Sequence, residues 1–225
     1  MDNNEVVVYT EIKKANGKTK LVETELKGKN NYYDNDHIVF YSKEQFKALL
    51  DGITNEFHKL AVLLMYETGA RVEELRDIKF SDVENSGRIK VLTLKQRKKN
   101  KIYRYLKISD KLMALILSHR LNNKLNDNDF VLSKKTGGPA IARKSISYIL
   151  KYNTEKILGK AYLDKAHPHA LRHTRAVHLL DSGMNIMLLK NFLGHSNISN
   201  TLIYLKYSNA DMVVAVDKAN MCCIF

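Results

Sequence analysis

Between His169 and Tyr204 the chain reads HALRHTRAVHLLDSGMNIMLLKNFLGHSNISNTLIY. Arg172 lies between His169 and His173, a second polar point follows at Gly194–His195, and Tyr204 comes nine residues after His195. Guanidinium groups hold the non-bridging oxygens of a phosphate in a fork and offset the charge that builds in a transition state. A phenol becomes a nucleophile when a base and nearby cations favour loss of its proton. Cations, imidazoles and a phenol gathered at one point therefore suit chemistry on a phosphodiester. A His and an Arg three apart on a helix are, taken alone, an ordinary surface or core pairing. Only the whole string sets this pair apart from an ordinary one.

The intervening apolar residues set where those groups can stand. Leu171, Val177, Leu179 and Leu180, then Ile186, Leu188, Leu189, Phe192 and Leu193, recur at helical spacing. Gly183 falls just past the first run and would end it in a left-handed turn. Pro168 stops the preceding segment and places His169 at a helix start. His169, Arg172, His195 and Tyr204 thus sit at the edges of short, separately packed helices.

Upstream, EVVVYTEIKK and KTKLVETELK flank Asn16–Gly17, a type I′ turn pair, so residues 5–27 read as a β-hairpin. It would serve as a DNA arm, a partner edge or a stability element. The polar stretch from Gly28 to Asp36 reads as a linker. Ser42 and Gln45 form a capping box ahead of Phe46, Leu49 and Leu50. Leu60, Ala61, Leu64 and Met65 mark the next helix, with Gly69 as its stop and Arg71 just beyond. Residues 89–108 read as a second hairpin whose basic turn carries Lys95, Arg97, Lys98, Lys99 and Lys101. Such a turn grips phosphates, each cation adding salt-dependent affinity. Ser109 opens an amphipathic helix, DFVL reads as a short buried strand, and a helix from Arg143 presents Ile146, Ile149 and Leu150 on one face. Its Arg143, Lys144 and Lys151 are either a solvated face or DNA contacts. Beyond Tyr204, Met212, Val213, Val216, Met221, Ile224 and Phe225 form an apolar stripe.

Composition points the same way. The 225 residues are 44% hydrophobic, enough for one domain with a real core. Lys plus Arg number 37 against 24 acids, a net charge of +13 that draws the chain to a polyanion, most plausibly nucleic acid. No apolar run approaches the ~20 residues that cross a bilayer. MDNNEVVVY lacks the marks of a secretory signal. Cys222 and Cys223, adjacent at the end, make no metal or disulfide pattern and fit a reducing, cytoplasmic setting.

The sub-motifs HALRHT, LLDSG, LGH and TLIY, together with GARVEEL around Arg71, resemble in order and spacing the tyrosine recombinases, the phage-integrase and Xer-type family. The resemblance covers roughly residues 38–215. It implies a mainly α chain with small antiparallel β-hairpins (α+β) and a catalytic domain with a C-terminal packing helix over 37–225, which the hairpin arm and linker read above precede over 1–36. It also implies roles for single residues. Tyr204 would be the nucleophile, Arg71 and Arg172 the phosphate clamp, and His169 the acceptor of the Tyr proton. His195 would support the oxygen or the nucleophile. Lys95 would be the general acid for the leaving 5′ oxygen, with Lys98 as the alternative. Glu74 would pack the turn, and His173 would bond neighbouring backbone. His167 does not match the motif. Tyr207 competes as nucleophile, but it stands twelve residues from His195.

The implied partners are double-stranded DNA and further copies of the chain, a tetramer on paired sites, with no membrane, metal or nucleotide cofactor. DNA relaxation of the type IB topoisomerase kind and a non-catalytic DNA-binding regulator are the competing readings. Family members usually carry a further helical DNA-clamping domain of roughly 100 residues. The residues ahead of His37 are too few for one. That leaves a minimal recombinase, an excised catalytic fragment, or a hairpin acting as the clamp.

Overall fold

Side-chain caps start most of the longer helices, and left-handed glycines end two of them. The computed structural model describes residues 9–13, 19–23, 38–93 and 102–207. Contacts divide the chain into two units, Met1–His37 and Ile38–Phe225. In the first, β1 (Tyr9–Lys13) pairs antiparallel with β2 (Thr19–Glu23), Tyr9 opposite Glu23 and Lys13 opposite Thr19. The expected turn at Asn16–Gly17 lies outside the described residues.

In the second unit, α1 (Lys43–Gly52) begins with the capping box read from the sequence. Ser42 Oγ accepts the Gln45 amide at 3.2 Å while Gln45 Oε1 accepts the Ser42 amide at 3.0 Å. Asn55 caps α2 (Glu56–Thr68), which ends at Gly69 with φ +54°. A five-residue helix, α3 (Val72–Arg76), and a 3-10 turn (Phe80–Asp82) lead into a three-stranded antiparallel sheet of β3 (Val83–Glu84), β4 (Arg88–Leu92) and β5 (Tyr103–Lys107), in that order. Helices α4 (Asp110–Asn122), α5 (Arg143–Ile157), α6 (Pro168–Asp181), α7 (Ile186–Leu193) and α8 (Ser199–Leu202) come next, and a 3-10 turn over Ile203–Tyr207 closes the described part. The chain is mainly helical with a small antiparallel sheet, as the sequence implies. Among the described residues no helix is long and apolar enough to cross a membrane.

The hairpin read over residues 89–108 is present as β4 paired antiparallel with β5, and the two-residue β3, too short to leave an alternating pattern, adds a third strand by pairing Val83 with Ile89. Two expectations need correction. The DFVL segment is not a strand. It makes one isolated bridge, Lys79 with Phe130, because the buried Asp129 carboxylate draws the Asn126 and Gly137 amides into turns. In α4 the apolar residues run around the helix rather than along one face. Leu112 and Ile116 are buried while Leu117 and Leu121 are exposed.

The core is two apolar clusters. The larger gathers α1, α2, α4, α5 and the sheet, and the smaller gathers α6, α7 and Tyr204. Helix α6 spans both, with Leu171 in the larger and Ala176, Val177 and Leu180 in the smaller, while Phe192 packs against each. Arg172 is next to Leu171 and so stands at the seam.

Candidate active site

Helix α6 starts on His167, whose Nδ1 accepts the Ala170 amide at 3.2 Å, with Pro168 in the first turn where no donor is needed. His167, outside the motif, is therefore the cap that orients it. One turn on, Arg172 is 3% exposed and points into the seam. Its Nη1 donates to the Gly69 carbonyl at 2.5 Å and its Nη2 to the Leu193 carbonyl at 2.7 Å. Burial, then the charge of Arg71, lowers the Arg172 pKa to about 10, which leaves it cationic at neutral pH.

Gly69 has to be glycine. Its φ is +54°, and a Cβ there would press on Phe192 Cε1 at 3.0 Å and Leu193 Cδ2 at 3.2 Å. The turn it makes presents its carbonyl to Arg172 and delivers Arg71 as the cap of α3. Arg71 is half-buried. Glu74 Oε2 accepts its amide at 3.1 Å and Glu74 Oε1 accepts its Nη1 at 2.9 Å. Burial alone would raise the fully buried Glu74 carboxyl, but Arg104 and Arg71 outweigh it and hold it below the usual range.

The third wall is α7 with the segment that runs on from it to Tyr204. Leu193 is the last residue of α7, and Gly194 turns the chain with φ +66°. His195 Nδ1 lies 2.9 Å from Thr201 Oγ1 on α8. Two residues past α8, Tyr204 is 2% exposed, and its hydroxyl is 2.9 Å from His173 Nδ1. This corrects the expectation for His173, whose partner is the phenol rather than neighbouring backbone. The helical spacing from His169 to His173 carries the second imidazole inward, while His169 stays exposed with ring centroids 6.3 Å apart.

Charge and burial tune these groups. Burial, then the charges of His169 and Arg172, drives the His173 pKa down to about 4, so the ring is neutral at physiological pH. His169 is also lowered, by desolvation and then by Arg172, His167, Arg71 and Arg143. Burial raises Tyr204 against the opposing pull of Arg172 and Arg71. Tyr204, His169, Arg172 and Arg71 thus share one electrostatic neighbourhood. Arg143 and Lys144, both exposed, begin α5, and the charge of Arg143 reaches His169. Lys95, Arg97, Lys98, Lys99 and Lys101 lie outside the described residues. Tyr207 is engaged elsewhere, its hydroxyl accepting the Ile38 amide at 3.3 Å and its ring edge-on to Phe40.

The phage integrase family model matches residues 19–210. The chain belongs to the phage integrase family. Tyrosine recombinase XerC of Staphylococcus saprophyticus is 31% identical over 180 residues, covering 77% of this chain and 58% of that protein. Tyrosine recombinase XerA of Pyrococcus furiosus is 31% identical over 184 residues, covering 80% and 61%. This integrase-family chain therefore spans about three-fifths of the length of those relatives. Among solved structures, the catalytic domain of bacteriophage HP1 integrase is 28% identical with a TM-score of 0.54, covering 80% of this chain and 94% of that one. XerH site-specific recombinase bound to palindromic difH substrate, a post-cleavage complex, shares the fold at 22% identity with a TM-score of 0.63, covering 90% and 60%.

One residue of the site escapes the motif reading. Arg104, on β5, is buried and donates to Glu74 and to the Leu193 carbonyl. A signal for it exists in the sequence: it falls in phase with Leu106 and Ile108, on the apolar face of a strand where a cation needs a partner.

Proposed function

We propose that the chain is a site-specific DNA recombinase that breaks and rejoins strands through a covalent 3′-phosphotyrosyl link. Tyr204 Oη attacks the scissile phosphorus, the bond to the 5′ oxygen breaks, and a free 5′ hydroxyl leaves. Rejoining reverses this when another 5′ hydroxyl attacks and Tyr204 is released. The observation that carries the reading is the 2.9 Å approach of Tyr204 to a neutral imidazole, with two guanidinium charges bearing on the phenol.

Each group has a task that its surroundings suit. His169 takes the phenolic proton or helps to, and His173, with Nδ1 2.9 Å from the phenol, is the nearer imidazole that shares this task. Of the five N–H donors of Arg172, two are bound to carbonyls, which leaves three for phosphate oxygens. Arg71 completes the clamp and His195 supports the oxygen. Lys95, with Lys98 as the alternative, protonates the leaving 5′ oxygen. Arg97, Lys98, Lys99 and Lys101, with Arg143 and Lys144 at the exposed start of α5, grip the DNA backbone. At 2% exposure Tyr204 meets a duplex only when the turn that carries it shifts.

The net charge of +13, and the transposon right end DNA in complex with the Tn1549 transposon integrase, which shares the fold, support duplex DNA as the partner. We take the working assembly to be four copies on two paired sites, in the cytoplasm and associated with the DNA there.

A nicked duplex that loses its 5′ fragment after cleavage tests this. The wild-type chain is expected to form a denaturant-resistant adduct, and Tyr204→Phe is expected to bind the duplex without forming one. An adduct with Tyr204→Phe would assign the wrong nucleophile. Binding by the wild type with no adduct would leave a DNA-binding regulator.

A further inference from the structure

Strand β5 alternates Tyr103, Tyr105 and Lys107 outward with Arg104 and Leu106 inward, so a guanidinium enters the apolar side of the sheet. Arg104 Nη2 donates to Glu74 Oε2 at 2.8 Å. Its Nη1 donates to Thr93 Oγ1 and to the Leu193 carbonyl, each at 3.2 Å. Both acceptors at its far end also hold a site arginine: Glu74 holds Arg71, and the Leu193 carbonyl holds Arg172. Gly194 belongs to the same arrangement. A Cβ at this position would collide with Arg104 Nη1 and stand 3.0 Å from its Cζ, so the glycine of the LGH motif leaves the path by which Arg104 reaches Leu193.

We propose that Arg104 is a positioning residue that locks the two phosphate-binding arginines to each other and to the sheet. Without it, Glu74 would neutralise Arg71 one for one. With it, the trio of Arg71, Glu74 and Arg104 keeps one positive charge in excess. Its hold on the Leu193 carbonyl fixes the second acceptor of Arg172. Thr93 ties the arrangement to the end of β4, from which the basic turn departs. The proposal rests on the recombinase reading for its effect on rate, but not for its effect on geometry.

The test uses the full chain with Arg104→Met, Arg104→Lys and Gly194→Ala, and it has two readouts. On the nicked duplex, Arg104→Met is expected to slow adduct formation about 10- to 100-fold, the range for outer partners that orient reacting groups, with DNA affinity unchanged. Arg104→Lys, which reaches Glu74 but cannot fork, is expected to fall between Arg104→Met and the wild type. Gly194→Ala is expected to be slow alone and to cost less on top of Arg104→Met, because the collision with the guanidinium is then gone while the strain of alanine at φ +66° remains. Independent, multiplying effects would overturn the proposal, as would a wild-type rate in Arg104→Met. The second readout is the side-chain N–H resonances of Arg71 and Arg172 in ¹⁵N-arginine-labelled protein without DNA. Both are expected to shift or broaden in Arg104→Met. If they stay in place the proposal fails whether or not the chain cuts DNA. If they move while the wild type forms no adduct, the recombinase reading alone is lost.

Discussion

Two regions each supply an arginine to the site, and they hold it by different means. Helix α6 supplies Arg172, buried and bound to two neutral carbonyls. The Gly69 turn supplies Arg71, half-buried and bound to a carboxylate that Arg104 shares. Carbonyls orient a cation without cancelling it, and a charge in a dry place acts on its neighbours more strongly than one in water. The α6 arrangement therefore keeps the full charge at the cost of desolvating it. The α3 arrangement offsets part of the charge in return for a fixed geometry. The two regions meet at one atom, the Leu193 carbonyl, which accepts from both Arg172 and Arg104.

The largest expected effect is at Arg172. Arg172→Ala should lower the rate of adduct formation by about 10²- to 10³-fold, as loss of a fixed donor to a developing oxyanion does. It should also destabilise the fold. Leu193 would still have Arg104, but the Gly69 carbonyl would lose the guanidinium, a cost of about 1–3 kcal/mol for an acceptor left buried and unpaired. Melting temperature and rate measured on one sample check both parts. A variant as stable as the wild type would mean that Gly69 finds another donor and that the carbonyls do not anchor Arg172.

Glu74→Gln probes the other region. The amide keeps the shape of the side chain but gives up the charge that pairs Arg71 with Arg104. Adduct formation should fall about tenfold, less than for Arg172→Ala, because Arg71 and Arg172 both remain. Acid should act in the same direction. The Glu74 pKa is held below its unfolded value, so its contribution is whole above the ordinary carboxyl range and is lost as pH falls through the lowered value. Glu74→Gln should therefore flatten the acid limb of the stability profile. An unchanged limb in chemical denaturation would show that the carboxylate stabilises nothing through its charge.

The same contrast explains how much of this was legible in the sequence. The α6 region announces itself, because a helix repeats its face every three to four residues and His169, Arg172 and His173 stand at that spacing beside an apolar run. The helix starts at Ser42 and Ser109 and the stop at Gly69 were legible for a local reason too, since caps are made by residues next to one another. Arg104 was not, because its partners lie 30 and 89 residues away and only the folded chain brings them together. The direction in which His173 points was hidden for the same reason: Tyr204 is 31 residues on. Asp129 bending DFVL into turns was a competition between a side chain and a ladder, and the apolar pattern records only the ladder.

Thr201→Val tests the edge of the site with a smaller change. It removes the hydroxyl 2.9 Å from His195 Nδ1 and keeps the volume. The loss is one hydrogen bond, about 1 kcal/mol, so the melting temperature should fall by about 2–4 °C and the rate severalfold. A fall as large as that for Arg172→Ala would place His195 among the groups on which the clamp depends.

The last expected effect is the acid sensitivity of the α6 imidazoles. His173 is lowered to about 4 and His169 is lowered as well, by burial first and then by neighbouring positive charge. In the unfolded chain both would take up protons near the ordinary histidine value. Between that value and the lowered one, the unfolded state binds more protons than the folded state, so stability declines as pH drops through this window and the loss is complete below it. This contribution is full above about pH 6.5 and erodes toward about pH 4. Urea unfolding should give a lower midpoint at about pH 5 than at about pH 7, and His173→Gln, with no imidazole to charge, should lose less over that interval. The Glu74 window lies lower, so the two regions can be separated by pH alone. If His173→Gln and the wild type lose stability in parallel, the imidazole beside Tyr204 is not held neutral by the fold, and its place as proton acceptor goes with it.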